Sequence, residues 1–275
     1  MGVAIGGRWP VCFITGGGSG IGRRLATMLA SGGADIALFD LVVPDEVIAE
    51  VTAAGAGRVS AHQVDVTDAA ALDAAVAAAV GRLGAPILAV NSAGISRNER
   101  FETSSPDDFE LTVRVNLGGS RNFAAAVLRH MKDGSQLALV ASLAGLTGGY
   151  TYAAYAASKA AVVGLARVLR LEYAPRGIGV SVICPPEVLT PMVERSQVGI
   201  HPATRALKNV GGTLQVGEAC EQILKGLAHG RFTVVPGRKA RRTALISRLL
   251  PERVSQRAAD RIVARALREH PDAPR

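Results

Sequence analysis

The sequence lacks several features that would place it outside ordinary globular proteins. It has no run of about 18 apolar residues, the length that a membrane-spanning helix requires. Residues 1–10 lack the basic and apolar regions of a signal peptide. Its three cysteines, Cys12, Cys184 and Cys220, are too few and too widely spaced for a disulfide framework or a zinc site. We therefore expect a cytoplasmic protein with buried free thiols and no metal.

Acidic residues are scarce near the end of the chain. From residue 237 onward there are 11 Arg and Lys against 4 Asp and Glu, whereas the first 236 residues have 20 against 19. The net charge of +8 is therefore concentrated in the tail, and the neutral body argues against nucleic acid as a partner. The 275 residues suffice for one core. We predict a single domain over residues 1–275 with a basic helical extension at 238–275, interrupted at Pro251.

Short apolar runs alternate with segments of helical periodicity along the chain. Seven runs are predicted strands: residues 11–15, 35–39, 59–64, 87–91, 136–141, 179–184 and 232–235. Strands that are apolar on both faces are typical of a parallel sheet covered by helices. The pattern predicts an α/β fold, a doubly wound parallel sheet of the Rossmann type with about seven strands and helices on both faces. Residues 186–213 show weak periodicity, and we expect a long loop that forms a lid over the substrate.

A glycine-rich segment, Thr15-Gly-Gly-Gly-Ser-Gly-Ile-Gly22, joins the first predicted strand to the first predicted helix. Glycines let the backbone turn tightly and approach a pyrophosphate, and the helix N-terminus presents free N–H groups to the phosphates. The strand on one side and the helix on the other are the context that a dinucleotide-binding turn requires. The candidate cofactor-binding residues in it are Gly16, Gly18, Ser19, Gly20, Ile21 and Gly22.

The second predicted strand leads into Asp40, about 20 residues beyond the glycines, where a carboxylate accepts hydrogen bonds from ribose hydroxyls. Residues 41–43 provide no cation to neutralise a 2′-phosphate, so Asp40 predicts NAD rather than NADP. Arg23 and Arg24 are the counter-argument, and we expect them on the solvated face of the first helix.

Tyr155 and Lys159 lie four residues apart in an Ala-rich helical segment and so share one helix face. A phenol titrates near pH 10, and a neighbouring ammonium favours the phenolate and lowers that pKa. The pair predicts a general acid/base that works near neutral pH.

These segments occur together with others in an order that resembles the short-chain dehydrogenase/reductase family, from about residue 11 to residue 235. The further motifs are Asp65-Val66, Asn91-Ser-Ala-Gly94, Asn116, Ser142 thirteen residues before Tyr155, and the segment Pro185-Pro-Glu-Val-Leu-Thr-Pro191. The family has Asn where this chain has Ser92, and Gly where it has Pro186. The proline-rich motif and the basic tail also resemble the branch of ketosphinganine reductases, which reduce lipid ketones. Asp40 argues against this branch, because it predicts NAD, which is not the cofactor of that branch.

The resemblance implies a role for each catalytic candidate. Tyr155 exchanges a proton with the substrate oxygen, and Lys159 lowers the pKa of Tyr155 and binds the nicotinamide ribose. Ser142 donates a hydrogen bond to the substrate oxygen, and Asn116 supports a water-linked proton path to Lys159. The implied cofactor contacts are Asp65 and Val66 at adenine, Asn91, Ala93 and Gly94 at adenosine, and Pro185, Val188 and Thr190 at nicotinamide.

An oxidoreductase that interconverts a secondary alcohol and a ketone is the function implied. Uncharged residues are expected to line the substrate cleft, which favours an apolar, lipid- or steroid-like substrate: Ile95, Leu143, Leu146, Val188, Leu189 and Met192. Tyr150 and Tyr152 either contact the substrate or pack against the lid. Two alternatives remain: a ketoacyl reductase that acts on carrier-bound substrate, and a non-enzymatic NAD-binding sensor.

The tail combines an arginine stripe with an apolar cluster. Arg253, Arg257, Arg261 and Arg265 recur at every fourth residue, after the cluster Leu245, Ile246, Leu249 and Leu250. Three arrangements are open: weak peripheral contact with an anionic membrane, contact with a neighbouring subunit, or docking of residues 245–250 on the body beneath a solvated helix. The resemblance also implies a homodimer or homotetramer packed through the helices that hold Asn116 and Tyr155.

Overall fold

The computed structural model describes residues 7–197 and 200–271, in which nine strands form two parallel sheets. The strands are β1 (Val11–Thr15), β2 (Asp35–Asp40), β3 (Val59–Gln63), β4 (Leu88–Asn91), β5 (Gln136–Val140), β6 (Gly179–Ile183), β7 (Glu187–Leu189), β8 (Thr213–Gln215) and β9 (Thr233–Val234). The main sheet has the order β3-β2-β1-β4-β5-β6-β9, and β7 pairs with β8. The seven predicted strands are confirmed, each with boundaries within one residue of the prediction.

Helices cover both faces of the main sheet, as predicted. They are α1 (Gly20–Ala30), α2 (Asp45–Ala53), α3 (Ala69–Leu83), α4 (Pro106–Val113), α5 (Gly119–Leu128), α6 (Ala144–Thr147), α7 (Ala153–Tyr173), α8 (Pro191–Gln197), α9 (Pro202–Gly211), α10 (Val216–Ala228), α11 (Arg238–Leu249) and α12 (Glu252–Glu269). Helices α3, α5 and α7 bury their apolar faces against Phe13 and Phe39, whereas α1, α2 and α10 pack on Ile14 and Ile36 from the other side. In the described part of the chain, no helix combines the length and the apolar composition that crossing a membrane requires.

The strand order reverses between β1 and β4. From β1 the chain proceeds to β2 and β3 on one side of the sheet, whereas β4, β5 and β6 follow one another on the other side. At such a point the loops after neighbouring strands separate and leave a crevice at the carboxyl ends of the strands. The glycine-rich turn follows β1, and Asn91 ends β4. The topology therefore places the predicted cofactor residues at the crevice.

The segment 186–213 was predicted as an irregular loop, and this prediction was wrong. It contains β7, α8 and α9, and it leads into β8. Helix α9 begins at Pro202, and His201 Nδ1 accepts a hydrogen bond from the Ala203 amide at 3.1 Å. Strand β7 and helix α8 are too short for a hydrophobic period to show in the sequence.

The basic tail forms two helices, α11 and α12, on either side of the predicted interruption at Pro251. Both helices pack against α9. Two members of the cluster at residues 245–250, Leu245 and Leu249, do not dock on the body, since they are 55% and 69% exposed. The docked arrangement is therefore wrong for these two leucines. The three cysteines are buried free thiols, as predicted.

Candidate active site

A single cavity of about 1260 Å³ runs along the carboxyl ends of the strands. Ordinary ligand pockets measure roughly 300–1,000 Å³, so this one has room for a dinucleotide together with a substrate. Its first part is lined by Gly16, Ser19, Gly20, Ile21, Asp40, Asp65, Val66, Ala93 and Gly94. Its middle is lined by Ser142, Tyr155, Lys159, Pro185, Val188 and Thr190. Residues of α9, α11 and α12 line the far part.

Gly16, Gly18 and Gly22 in the turn at the first end have no room for a side chain. Gly16 has φ +65°, and a Cβ built on it would lie 2.8 Å from the Ala93 amide nitrogen. A Cβ on Gly22 would lie 2.1 Å from the Gly16 carbonyl oxygen, and one on Gly18 would lie 2.4 Å from the Val42 oxygen. Gly18 and Gly22 do not line the cavity but hold the turn closed, so that the backbone of Gly16 and Gly20 faces it.

Asp40 lies beside this turn and accepts a hydrogen bond from its backbone. Its Oδ2 accepts a hydrogen bond from the Gly18 amide at 2.9 Å, and its Oδ1 accepts one from the Leu41 amide at 2.8 Å. Each carboxylate oxygen keeps a second lone pair for a ribose hydroxyl. Arg23 does not compete for this site, because its Nε donates to Glu50 Oε2 at 2.7 Å.

Asn91 is buried behind the cavity and does not line it. Its Oδ1 accepts from Thr15 Oγ1 at 2.8 Å, and its Nδ2 donates to Ser120 Oγ at 2.9 Å. Thr15 Oγ1 in turn accepts the amides of Ser92 and Ala93 at 3.1 and 3.2 Å. Asn91 was predicted to contact the cofactor, but in the structure it positions the backbone of the segment that does line the cavity.

Three polar groups meet where β5 ends and α7 begins. Tyr155 and Ser142 line the cavity side by side, and the Ser142 side chain lowers the pKa of Tyr155. Ser142 Oγ accepts a hydrogen bond from the Ala144 amide at 3.1 Å. Lys159 Nζ donates to the Val140 carbonyl at 2.9 Å and lies 5.8 Å from the centre of the Tyr155 ring. A carbonyl oxygen placed against Ser142 and Tyr155 would receive hydrogen bonds from two hydroxyl groups.

Burial controls the titration of this cluster. It raises the pKa of Tyr155 to about 12, against the opposing effect of the Ser142 side chain. It lowers the pKa of Lys159 to about 8. In the free protein desolvation disfavours both charged forms, and the Lys159 ammonium is directed at the Val140 carbonyl. A lowering of the Tyr155 pKa by Lys159 therefore stays a prediction. Tyr155 is held as a neutral phenol, the form that donates a proton.

Replacement of Lys159 by Met should raise the free energy of unfolding and change its dependence on pH. The pKa of Lys159 falls from 10.5 to about 8 on folding, so at this group the native state binds fewer protons across that interval and the contribution of Lys159 to stability rises with pH through it. In Lys159→Met that rise should vanish, and the free energy of unfolding at pH 7 should increase by about 1–3 kcal/mol, because a buried charge is removed. Urea unfolding between pH 7 and 10.5 measures both effects. Lys225→Met, at an exposed position of α10, is the control. An unchanged pH dependence in Lys159→Met would contradict the assignment.

Asn116 reaches the site through an irregularity in its helix. A π-helical segment, Arg114–Gly118, joins α4 to α5, and such an insertion rotates a side chain out of the regular helical register. Asn116 Nδ2 donates to the Ile95 carbonyl at 3.0 Å and to Ser158 Oγ at 2.9 Å, while its Oδ1 accepts the Ile95 amide at 2.9 Å. A Cβ on Gly94 would lie 2.9 Å from Asn116 Oδ1 and 3.2 Å from Lys159 Nζ, so the two groups flank one small space.

The turn after β6 contains an ion-pair cluster that the sequence did not reveal. Glu187 follows the two prolines, and its side chain is 2% exposed. It pairs with Lys208 Nζ at 2.5 Å and Arg205 Nη1 at 3.1 Å, and accepts a hydrogen bond from Thr213 Oγ1 at 2.9 Å. The cluster ties β7 to α9 and β8. The sequence signal that could have indicated this cluster is the acidic residue directly after Pro186, where the chain departs from the family pattern.

The substrate part of the cavity is largely apolar. Of the residues predicted to line it, all but Leu189 do so: Ile95, Leu143, Leu146, Val188 and Met192. Tyr150 and Tyr152 also line it, and both pack against the segment 186–213, Tyr150 on the His201 ring at 4.7 Å and Tyr152 beneath Lys208 Nζ at 5.7 Å. Packing is therefore confirmed for both tyrosines, and contact with the substrate stays a prediction. The sequence prediction missed the contribution of Ile246, Leu250 and Ile262 from the tail.

A comparison with protein families matches residues 10–199 to the short-chain dehydrogenase model. The chain belongs to the short-chain dehydrogenase/reductase family. It is 38% identical over 185 residues to the oxidoreductase UcpA of Salmonella typhimurium, covering 66% of this chain and 70% of that protein. It is 34% identical over 199 residues to a D-beta-hydroxybutyrate dehydrogenase of Rhizobium meliloti, covering 70% and 77%.

The fold is that of known members of the family. A short-chain dehydrogenase of Mycobacterium paratuberculosis, solved with NAD bound, superposes with a TM-score of 0.74 at 24% identity and covers 87% of this chain and 100% of that one. This short-chain dehydrogenase is thus an oxidoreductase that acts on an alcohol or ketone group with NAD or NADP.

Proposed function

We propose that this short-chain dehydrogenase interconverts an apolar secondary alcohol and its ketone, with NAD(H) as cofactor, at Ser142, Tyr155 and Lys159. The observation that carries this proposal is the single cavity, which joins the glycine turn and Asp40 at one end to the Ser142–Tyr155 hydroxyls and an apolar chamber at the other. Lid elements α8 and α9 close the chamber, and the tail completes its wall.

Each polar group of the site has a distinct task in this reaction. NADH supplies a hydride to the carbonyl carbon when it is bound. Tyr155 donates its proton to the carbonyl oxygen, while the Ser142 hydroxyl holds that oxygen in place. The Lys159 ammonium, close to the Tyr155 ring, stabilises the phenolate left behind. Asn116 fixes the space beside Lys159 through which a water-linked path would return the proton. Oxidation of the alcohol reverses these steps.

The first end of the cavity suits NAD more than NADP. The backbone of Gly16 to Ile21 lies at the N-terminus of α1, where a pyrophosphate binds favourably. Asp65, Val66, Ala93 and Gly94 would contain the adenosine half, and Pro185, Val188 and Thr190 the nicotinamide. Asp40 repels a 2′-phosphate, and the Arg23 guanidinium is paired with Glu50.

The double variant Asp40→Ala/Leu41→Arg should shift cofactor preference toward NADPH. It removes the repelling carboxylate and adds a cation at an exposed position that lines the cavity. Because the Gly18 amide also loses its acceptor, affinity for both cofactors should fall, so the readout is the ratio of kcat/KM for NADPH to that for NADH. We expect that ratio to rise by about tenfold or more. Glu50→Gln, which frees Arg23 and leaves Asp40 in place, is the control. Equal kcat/KM for both cofactors in the wild type would refute the NAD assignment.

The substrate proposal can be tested with a series of 2-ketones of increasing chain length, assayed beside hydroxybutyrate. One CH₂ group transferred to an apolar chamber contributes about 0.8 kcal/mol, so kcat/KM should rise with chain length until the chamber is full. A preference for the hydroxy acid over every apolar ketone would contradict it.

We also propose a homodimer or homotetramer packed through the helices that hold Asn116 and Tyr155. The exposed apolar side chains of Val168 and Leu171 on α7, 51% and 70% exposed, support this surface as the contact. The near-neutral net charge of residues 1–236 argues against nucleic acid as a partner, and a cytoplasmic location remains an expectation from the free thiols.

A further inference from the structure

Helix α11 has its large apolar side chains on the outer side and its small side chains on the inner side. Leu245 and Leu249, one turn apart, are 55% and 69% exposed. The inner side, which packs toward α9, consists of buried or half-buried small residues: Ala240, Thr243, Ala244 and Ser247. A helix that used its apolar face to stabilise the body would show the reverse arrangement. The outer leucines therefore serve something other than the core of this chain.

The same face is strongly basic. Residues 238–257 contain seven Arg and Lys and one Glu. Arg238 and Arg242 lie on the helix side of Leu245 and Leu249, since the four positions are spaced three and four residues apart. Both arginines are exposed, and among the described residues neither forms an ion pair with a carboxylate. Exposed leucines surrounded by unpaired arginines are the combination that binds an anionic lipid surface.

The exposed apolar side chains continue into the mouth of the substrate cavity. Ile246, Leu250 and Val254 are 52%, 42% and 46% exposed, yet each also lines the cavity. Together with Leu245 and Leu249 they form what we call the tail patch. The tail patch lies outside residues 10–199, the part of the chain that matches the family model.

We propose that the tail patch docks on an anionic lipid surface, with the cavity mouth against the lipid, so that an apolar substrate enters from the lipid phase. Docking itself is independent of the catalytic proposal, whereas the route of entry rests on the apolar substrate proposed above. A second copy seated on this patch about a two-fold axis would bring two sets of arginines together. Anionic lipid headgroups instead neutralise them.

Flotation of the full-length chain with vesicles tests the docking. The protein should float with vesicles that contain phosphatidylglycerol and phosphatidylcholine, and not with pure phosphatidylcholine. Binding should weaken as salt is raised from about 0.05 to about 0.5 M. Leu245→Asn/Leu249→Asn should lower the partition coefficient at least about tenfold, because two leucines no longer enter the lipid. The control Leu245→Met/Leu249→Met should retain binding. Neither leucine lines the cavity, so turnover of a short, water-soluble ketone should be unchanged in both variants, which keeps this test separate from that of the catalytic proposal.

A fluorescent reporter distinguishes insertion from adsorption. Trp9 is the one tryptophan of the chain and is 4% exposed, so Leu249→Trp adds an exposed indole. Its emission should shift to shorter wavelength when phosphatidylglycerol vesicles are added. Absence of flotation, or flotation unaffected by Leu245→Asn/Leu249→Asn, would overturn the proposal. A smaller sedimenting mass of that double variant without lipid would assign the patch to a second copy instead, and would equally overturn it.

Discussion

Tyr155→Phe is expected to bind NADH as the wild type does and to lose nearly all turnover. The phenylalanine ring keeps the packing against Tyr152, whose ring centre lies 5.4 Å away, but it has no proton to give to the substrate oxygen. General acid/base catalysis contributes about 10²–10⁴-fold, and kcat should fall by that factor. Steady-state kinetics under conditions in which chemistry limits the rate, with NADH titrated by fluorescence, measure both quantities.

Tyr152→Phe is the matched control for this experiment. Tyr152 lines the same cavity and packs beneath Lys208, but its hydroxyl is not part of the Ser142–Tyr155 pair. We expect its effect on kcat to be much smaller than that of Tyr155→Phe. If Tyr155→Phe retained more than about a tenth of the wild-type rate, the acid/base role would be untenable.

Gly22→Ala should weaken NADH binding by about 10²-fold, although it adds a single methyl group. That methyl group would lie 2.1 Å from the Gly16 carbonyl oxygen, a backbone atom that cannot rotate away. The turn must therefore open, and the amides that face the cavity move with it. A misplacement of about 1 Å in a positioned site can cost roughly 10²-fold. Calorimetric titration with NADH gives the change in affinity directly.

Gly164→Ala provides the control for a methyl group added to a helix. Gly164 lies inside α7, and no atom lies within 4 Å of the Cβ that it would gain. We expect the free energy of unfolding to rise by about 0.5–1 kcal/mol, with NADH affinity unchanged. Equal NADH affinity in Gly22→Ala and the wild type would show that the closed turn is not needed for the cofactor.

The strands of the main sheet could be predicted because each is encoded by a short stretch of neighbouring residues. Each strand is a short apolar run with a clear end, and the glycine turn stands between β1 and α1, where its function requires it. The positions of Ser142, Tyr155 and Lys159 in one cavity followed from the family motifs. The roles of these residues remain predictions until they are measured.

Features that depend on contacts between distant segments could not be predicted from the sequence. The pKa of Tyr155 depends on how deeply α7 is buried, which spacing does not give. The burial of Glu187 depends on Lys208, 21 residues further along the chain. The sequence of the tail predicted helices, but it did not predict that Ile246 and Ile262 complete the wall of the cavity.

Transfer of deuterium tests the central claim most directly. NADH that carries deuterium at both positions of nicotinamide C4 is incubated with the enzyme and a medium-chain 2-ketone, and the alcohol formed is analysed by mass spectrometry. The proposed reaction predicts an alcohol with one deuterium on the carbinol carbon, formed with the wild type and nearly absent with Tyr155→Phe. NADH bound tightly without any deuterated alcohol, from any ketone of the series, would contradict an oxidoreductase of apolar ketones and would favour an NAD-binding sensor.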